Sequence, residues 1–406
     1  MIFNFFGGMI ETRFKKTDIG KIPEDWEVKK LGNISNIKTG PFGSALHASD
    51  YVLEGTPIIT VEHIGDIHIN TNIPIPMINE QDKERLMPYS LKEGDIVFSR
   101  VGSVDRNSII TVKEEGWLFS GRLLRVRSYN FVNSLYLSYH LSSQQAKKRV
   151  ISSAVGLAMP SINTKILSEI DIILPVLRNE QNRIATTLSD IDALLSILNK
   201  AIEKKKLIKQ GVMQQLLTGK KRLNGFTESW IEEKLGNISL IKTGCRNGNE
   251  AVENGKYPFF VRSQTVYRIN SYSFDGEAII IPGEGGIGSI YHYINGKFDY
   301  HQRVYKISDF PKNIYAKYIY FYMKQNFGDY ATNLSVKATV DSLRLSAFSN
   351  FVLYMPPSKA EQIAIATILS DMDAEIEALE TKRAKYEQVK QGMMQQLLTG
   401  KIRLID

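Results

Sequence analysis

The sequence predicts a protein of the mixed α/β (α+β) class: two α/β domains in tandem, each followed by a long helix, with the helices packed together. Two observations predict this. Residues 180–223 and 361–404 align without a gap and agree at more than half of their positions, and a repeat of this kind sets the architecture. A second signature also occurs twice. Trp26, Lys30-Leu31-Gly32-Asn33-Ile34-Ser35 and Ile37-Lys38-Thr39-Gly40 return as Trp230, Lys234-Leu235-Gly236-Asn237-Ile238-Ser239 and Ile241-Lys242-Thr243-Gly244. The expected segments are a lead (1–25), a first domain (26–177), a long helix (178–223), a second domain (224–357) and a second long helix (358–406).

The helices follow from periodicity. In the first copy Ile184, Leu188, Ile191, Leu195, Leu198 and Ile202 alternate steps of four and three, and Val212 and Leu216 follow. The second copy places Ile365, Leu369, Met372, Ile376 and Leu379, then Tyr386, Met393 and Leu397. This spacing keeps one stripe against a partner helix, and two such stripes in one chain most simply bury each other. Lys205 and Lys209 interrupt the first stripe, Arg383 and Lys390 the second. Neither copy holds proline. Gly219 and Gly400 follow the last apolar turn, where a left-handed C-cap favours glycine. Each helix is expected to run roughly 38 residues, on the order of 55 Å.

Within the first domain, residues 57–61, 95–100, 108–112 and 123–127 have strand-like β-branched content, residues 133–150 a helical pattern, and residues 170–174 form a short strand ending at Pro175. The second domain offers strands at 258–261, 278–281, 289–294 and 303–307, a tyrosine-rich helix at 314–327, and a strand at 351–354 before Pro356-Pro357. The frame repeats while the interiors differ, which fits one scaffold carrying two unlike readers.

Composition narrows the function. The chain has 406 residues and a formal net charge of +8, an excess that favours an anionic partner such as nucleic acid or an anionic membrane. Its single cysteine, Cys245, precludes an internal disulfide and fits a reducing compartment. The apolar start lacks the basic n-region and long h-region of a signal peptide, Met1 and Met9 both stand as candidate starts, and no run approaches a membrane span. The expected location is the cytoplasm.

Several motifs resemble chemistry without its context. Gly283-Glu284-Gly285-Gly286-Ile287-Gly288 matches G-x-G-x-x-G, but a dinucleotide site needs a helix directly after the glycines, and Ser289-Ile290-Tyr291-His292-Tyr293 reads as a strand. These glycines fit a turn or a backbone surface that closely approaches a ligand. Thr218-Gly219-Lys220 and Thr399-Gly400-Lys401 lack the upstream glycine of a phosphate loop. Glu27-Val28-Lys29 has no acidic partner to complete a nuclease site. The six histidines are scattered and none pair at metal-ligand spacing. No Asn-Pro-Pro-Tyr or Asp-Pro-Pro-Tyr of an adenine methyltransferase occurs. No catalytic residue and no metal ligand is assigned.

A binding chemistry remains. Arginine and glutamine pair bidentately with guanine and adenine edges, and lysines contact phosphates. The candidates are Lys38, Ser44, Arg100, Arg106, Arg122 and Arg125 in the first domain, with Arg127 beside them. Lys242, Arg246, Arg262, Gln264, Arg268, Gln302 and Arg303 are those of the second. The glycine-flanked loop at Arg100 and the stretch His301-Gln302-Arg303 are the foremost.

The chain resembles the specificity (S) subunit of type I restriction–modification systems. The resemblance rests on Pro23-Glu24-Asp25-Trp26-Glu27-Val28 with Lys30-Leu31-Gly32, Gly40-Pro41-Phe42-Gly43-Ser44 and Tyr51, and Gly94-Asp95-Ile96-Val97 with Arg100. It continues in the paired Ile-Ala-Thr-x-Leu-Ser-Asp stretches at Ile184 and Ile365, the paired Gln-Gln-Leu-Leu-Thr-Gly-Lys endings, Gly255-Lys256-Tyr257-Pro258-Phe259 and His301-Gln302-Arg303-Val304-Tyr305. It covers nearly the whole chain. It implies two target recognition domains, each reading one half of a split double-stranded DNA site, spaced by an antiparallel coiled coil. It also implies a non-catalytic chain without a cofactor of its own. Two modification (methyltransferase) subunits would carry S-adenosylmethionine and the adenine-N6 chemistry, and restriction subunits would bring ATP- and Mg-dependent translocation and cleavage.

The local dyads of duplex DNA favour the antiparallel arrangement independently, since parallel helices would crowd both readers at one end. Readers on one face of the duplex would lie about 34–36 Å apart, and a partner that flips an adenine would distort the DNA. The alternatives are a stand-alone DNA-binding protein, a coiled-coil tether, and an enzyme acting alone.

Overall fold

The computed structural model describes residues 12–41, 46–156, 159–334 and 342–405. The chain divides into two compact units, Met1–Ile197 with Arg383–Asp406, and Leu198–Lys382, and the division falls inside both long helices.

In the first unit a hairpin, β1 (Phe14–Thr17) and β2 (Gly20–Pro23), leads to β3 (Trp26–Lys30), the single turn α1 (Leu31–Ile34) and β4 (Ser35–Thr39). There follow β5 (Thr56–Ile59), β6 (Ile67–His68), β7 (Met77–Ile78), α2 (Glu80–Leu86), β8 (Ile96–Ser99), β9 (Asn107–Ile109), β10 (Leu118–Phe119) and β11 (Leu123–Ser128). Then come α3 (Ser134–Ser142), α4 (Gln144–Ser153), α5 (Thr164–Ser168), β12 (Asp171–Pro175) and the start of the first long helix, α6 (Arg178–Leu216), whose residues from Leu198 onward belong to the second unit. A five-stranded sheet has the order β4-β11-β8-β9-β6, and a three-stranded sheet the order β10-β5-β7. The helical pattern over 133–150 resolves into two helices. The Ser143 hydroxyl accepts from the Ala146 amide and caps α4, a local bond that competes with continuing the helix.

The second unit holds β13 (Ile231–Lys234), β14 (Leu240–Thr243), β15 (Tyr257–Phe260), β16 (Tyr267–Ile269), β17 (Phe274–Pro282), β18 (His292–Tyr300) and β19 (Val304–Ser308). It continues with α7 (Ala316–Leu334), α8 (Leu345–Ser349), β20 (Val352–Met355) and the start of the second long helix, α9 (Lys359–Leu397), whose residues from Arg383 onward belong to the first unit. Its six-stranded sheet runs β14-β19-β17-β18-β15-β16. The strand expected at 289–294 begins only at His292, because left-handed glycines at 285, 286 and 288 first turn the chain.

Both units share one frame. β3 pairs antiparallel with β12, Trp26 opposite Pro175, and β13 pairs with β20, Ile231 opposite Met355. Each unit's core takes in the first turns of one long helix and the last turns of the other. Ile184, Ala185 and Leu188 pack with Trp26, Tyr136, Leu397 and Leu398. Ile365, Ala366 and Leu369 pack with Trp230, Phe348, Met213, Leu216 and Leu217. The helix ends therefore bury their stripes against the domains as well as against each other, each side chain contributing about 1.5–3 kcal/mol. Leu198, Ile202 and Ile376 are also buried, whereas Ile191, Leu195, Met372 and Leu379 are half-buried.

The pairing is antiparallel in each unit, because partner numbers rise along one helix as they fall along the other helix and the short stretch just past its end. In the first unit Glu180 pairs with Arg403 and Asp192 with Lys390. In the second, Lys205 pairs with Glu375, Lys209 with Asp373 and Arg222 with Glu361. Two lysines that interrupt the stripes, Lys209 and Lys390, are thus buried ion-pair partners. Gly219 and Gly400, both left-handed, let the chain leave the helices. A Cβ at Gly400 would come within 2.4 Å of the Pro23 ring, and one at Gly219 within 3.3 Å of the Trp230 ring.

Candidate nucleic-acid interface

Each unit is closed by a buried carboxylate at the start of a long helix. Glu180 accepts from the Trp26 indole at 3.0 Å and from two nitrogens of Arg403 at 2.6 and 2.9 Å. Glu361 accepts from the Trp230 indole at 3.4 Å and from Arg222 at 2.7 and 2.8 Å. The next residue, Gln181 or Gln362, donates to the Pro175 or Pro356 carbonyl. This lock repeats although the interiors differ, so it belongs to the scaffold and not to the readers. The sequence reading missed it; its signal was the glutamate, glutamine and arginine recurring at matched positions of the two copies.

On the first domain's five-stranded sheet the cationic candidates separate into two groups. Lys38, Arg125 and Arg127 lie on adjacent β4 and β11, where Lys38 is the register partner of Arg125. Burial first, and then the Arg125 and Arg127 charges, lower the Lys38 pKa. Lys38 donates to the Pro88 carbonyl and lies over the Tyr89 ring. Arg125 is buried and donates to Asn36 at 2.7 Å, and Arg127 grips Asp95 through two 2.6 Å bonds. Arg125 and Arg127 therefore serve the fold. The second group, Arg100 and Arg122, sits at the β8 and β11 ends. The Arg100 amide donates to the Arg122 carbonyl, and its guanidinium to the Gly121 carbonyl at 3.2 Å, while Arg122 is exposed. Arg106 donates to the Ile64 carbonyl. Ser44 lies outside the described residues.

The second domain gathers more of its candidates. Arg246 bridges to His301, and its carbonyl accepts from the Gln302 amide. Its guanidinium reaches Glu250 at 3.0 Å and the fully buried Asp299 at 3.1 Å. The Gln302 side chain donates to Asn247 at 2.8 Å. Arg262 and Arg303 reach the same carboxylate, Glu284, at 3.4 and 3.2 Å. Burial, and next the Arg262 and Arg303 charges, lower the His301 pKa, so a neutral imidazole sits beside them, its Nδ1 accepting from the Arg303 amide. Gln264, in the loop between β15 and β16, and Lys242, on β14 at the opposite edge of the sheet, are both exposed and are not brought together. Arg268 is tied to the Gly255 and Lys256 carbonyls. Glu284, absent from the sequence-based candidates, lies in the glycine-rich stretch whose dinucleotide reading fails for want of a helix.

The family model described as the type I restriction modification DNA specificity domain matches residues 23–209 and again 227–390. The chain belongs to the type I restriction–modification specificity subunit family. The two matches correspond to the duplicated frame. A relative described as a putative type I restriction enzyme MjaX specificity subunit, from Methanocaldococcus jannaschii, is 28% identical over 97% of this chain and 97% of its own. The Escherichia coli EcoDI specificity subunit is 30% identical over 42% of this chain and 37% of that relative. Among solved structures, the S subunit of a type I restriction–modification system from M. genitalium superposes with a TM-score of 0.66 at 17% identity, covering 92% of this chain and 96% of that one. That likeness speaks for the fold of the specificity subunit. Among the described residues no helix is long and apolar enough to cross a membrane.

Proposed function

We propose that this chain is the non-catalytic DNA-reading subunit of a type I restriction–modification complex. Each domain reads one half of an asymmetric, bipartite double-stranded site. Two modification subunits and the restriction subunits dock on the repeated frame, and S-adenosylmethionine, ATP and Mg act on those partners in the cytoplasm. The observation that carries this reading is the contrast within one chain: the Trp-Glu-Arg lock is the same in both units, while the basic loops differ in sequence, sheet and partners. A repeated frame with unlike reading surfaces suits a pseudo-symmetric protein on a sequence without symmetry.

The test is to exchange residues 26–175 for the corresponding region of a relative, express the chimera with its modification partners, and map methylated adenines across a genome. One half of the recognised sequence should change. A change in both halves, or in neither, overturns the assignment of one half-site per domain. The purified chain should bind duplex DNA with a steep salt dependence, losing roughly 10³-fold or more between 50 and 200 mM salt if six or more phosphates are contacted. A tether would show no such slope, and turnover by the chain alone would indicate an enzyme.

A further inference from the structure

Glu284 is held unlike any other carboxylate of the second domain described above. Its hairpin loop, between β17 and β18, is fixed at the base: the Gly283 amide donates to the Arg303 carbonyl at 2.9 Å, and the Gly283 carbonyl accepts from Leu343 at 2.8 Å. Glu284 itself bridges to Ser342. Left-handed glycines at 285, 286 and 288 complete the turn, and Gly288 packs on Gly328 so closely that a Cβ would sit 2.7 Å from its Cα. The backbone is thereby set while the carboxylate stays reachable, with 23% of its side chain exposed.

Its contacts are loose. Arg262 and Arg303 each approach through one nitrogen, at 3.4 and 3.2 Å, and their side chains are 46% and 60% exposed. Charge-assisted bonds built for stability are shorter and often two-pronged, as Arg222 shows on Glu361 at 2.7 and 2.8 Å. Each arginine carries five N–H donors, so most of each fork remains for a further acceptor. A carboxylate amid arginines on a DNA-facing surface weakens phosphate attraction, and that disadvantage is offset where the carboxylate meets a donor. In the major groove cytosine N4 donates, and arginine takes guanine O6 and N7.

We propose that Glu284 is a base-reading residue of the second domain, accepting from a cytosine amino group while Arg262 and Arg303 take guanines. The half-site read by this domain therefore contains G·C pairs, and Glu284 sets one of them. The inference rests on the DNA-reading function proposed above and names the residue that carries one position of it.

The experiment uses the full chain with its modification partners and a duplex library randomised at every position of both half-sites. Wild type and Glu284→Gln are compared for bound and methylated sequences. Glutamine keeps the shape and removes the charge. The expected result is a roughly tenfold loss of discrimination at a single G·C pair, confined to one half-site, with the other half unchanged. A uniform rise in affinity across all sequences would make Glu284 an electrostatic brake and overturn the proposal, as would an unchanged profile or a change in the half-site that follows the first domain in the chimera. Should Glu284→Gln fold poorly by thermal melting, Arg303→Lys provides the second test: it keeps the charge, loses the fork, and should relax a neighbouring guanine. A wild-type complex without any sequence preference would instead refute the DNA-reading function itself.

Discussion

Arg403 and Glu180 form a two-pronged ion pair across 223 residues of sequence, with bonds of 2.6 and 2.9 Å. The Glu180 side chain is 1% exposed, and the Arg403 side chain 9%. The end of the second repeat thus closes the unit that begins with the first.

Arg403→Met should destabilise the first unit by about 3–5 kcal/mol, because it leaves a buried carboxylate with only the Trp26 indole. Pairing it with Glu180→Gln should recover most of the loss. Urea denaturation of the single and double variants checks this, and an equal loss in both would show that packing, not charge, dominates.

The two buried lysines should differ. Lys390 is shared by Asp192, at 2.6 Å, and Asp66, at 3.0 Å, and the Asp192 side chain is 17% exposed. Lys209 pairs with Asp373, whose side chain is 43% exposed and can regain water. Lys390→Met should therefore cost about 2–3 kcal/mol, and Lys209→Met about 1 kcal/mol or less. After the first change Asp192 keeps its bond from the Tyr139 hydroxyl. Thermal melting of the two variants orders them.

His140 should make the first unit acid-sensitive. Burial, and secondarily the Arg149 charge, push its pKa down to about 3, and its Nε2 accepts from the Ile173 amide at 3.1 Å. The folded pKa lies below the unfolded one, near 6.5, so the unfolded chain binds the proton first. The stability tied to neutral His140 is complete above pH 6.5 and is lost as pH falls toward 3, by about 1.4 kcal/mol per pH unit. His292 and His301, also lowered by burial, act in the same direction. The readout is therefore the difference between wild type and His140→Gln in urea melts at pH 7 and pH 5. The variant should be less stable at pH 7 but show the smaller fall.

Along the first long helix, burial should rank the substitutions. Leu188 is fully buried and Ile191 only partly so. Leu188→Ala should cost about 2–5 kcal/mol. Ile191→Lys should cost about 1–2 kcal/mol, since a long side chain at a half-covered position carries its charge out to water. Chemical denaturation compares them, and a larger loss at Ile191 would contradict the burial observed.

Periodicity and repetition alone established the tandem frame, the two proline-free helices and ten of the twenty strands among the described residues, because a heptad stripe or a β-branched run is a local pattern with a local cause; the frame strands β3, β4, β13 and β14 recur in sequence but carry no such run. Gly219 and Gly400 were legible as helix ends for the same reason. The tertiary structure decided what each charged residue does. Arg125 and Arg127 look like Arg262 and Arg303 in sequence, yet the first two are engaged by Asn36 and Asp95 while the latter share one reachable carboxylate. Lys209 and Lys390 look like flaws in a stripe until Asp373 and Asp192 are seen opposite them. A charge takes its role from its burial and its partner, and both arrive from distant parts of the chain, so no window of sequence contains them.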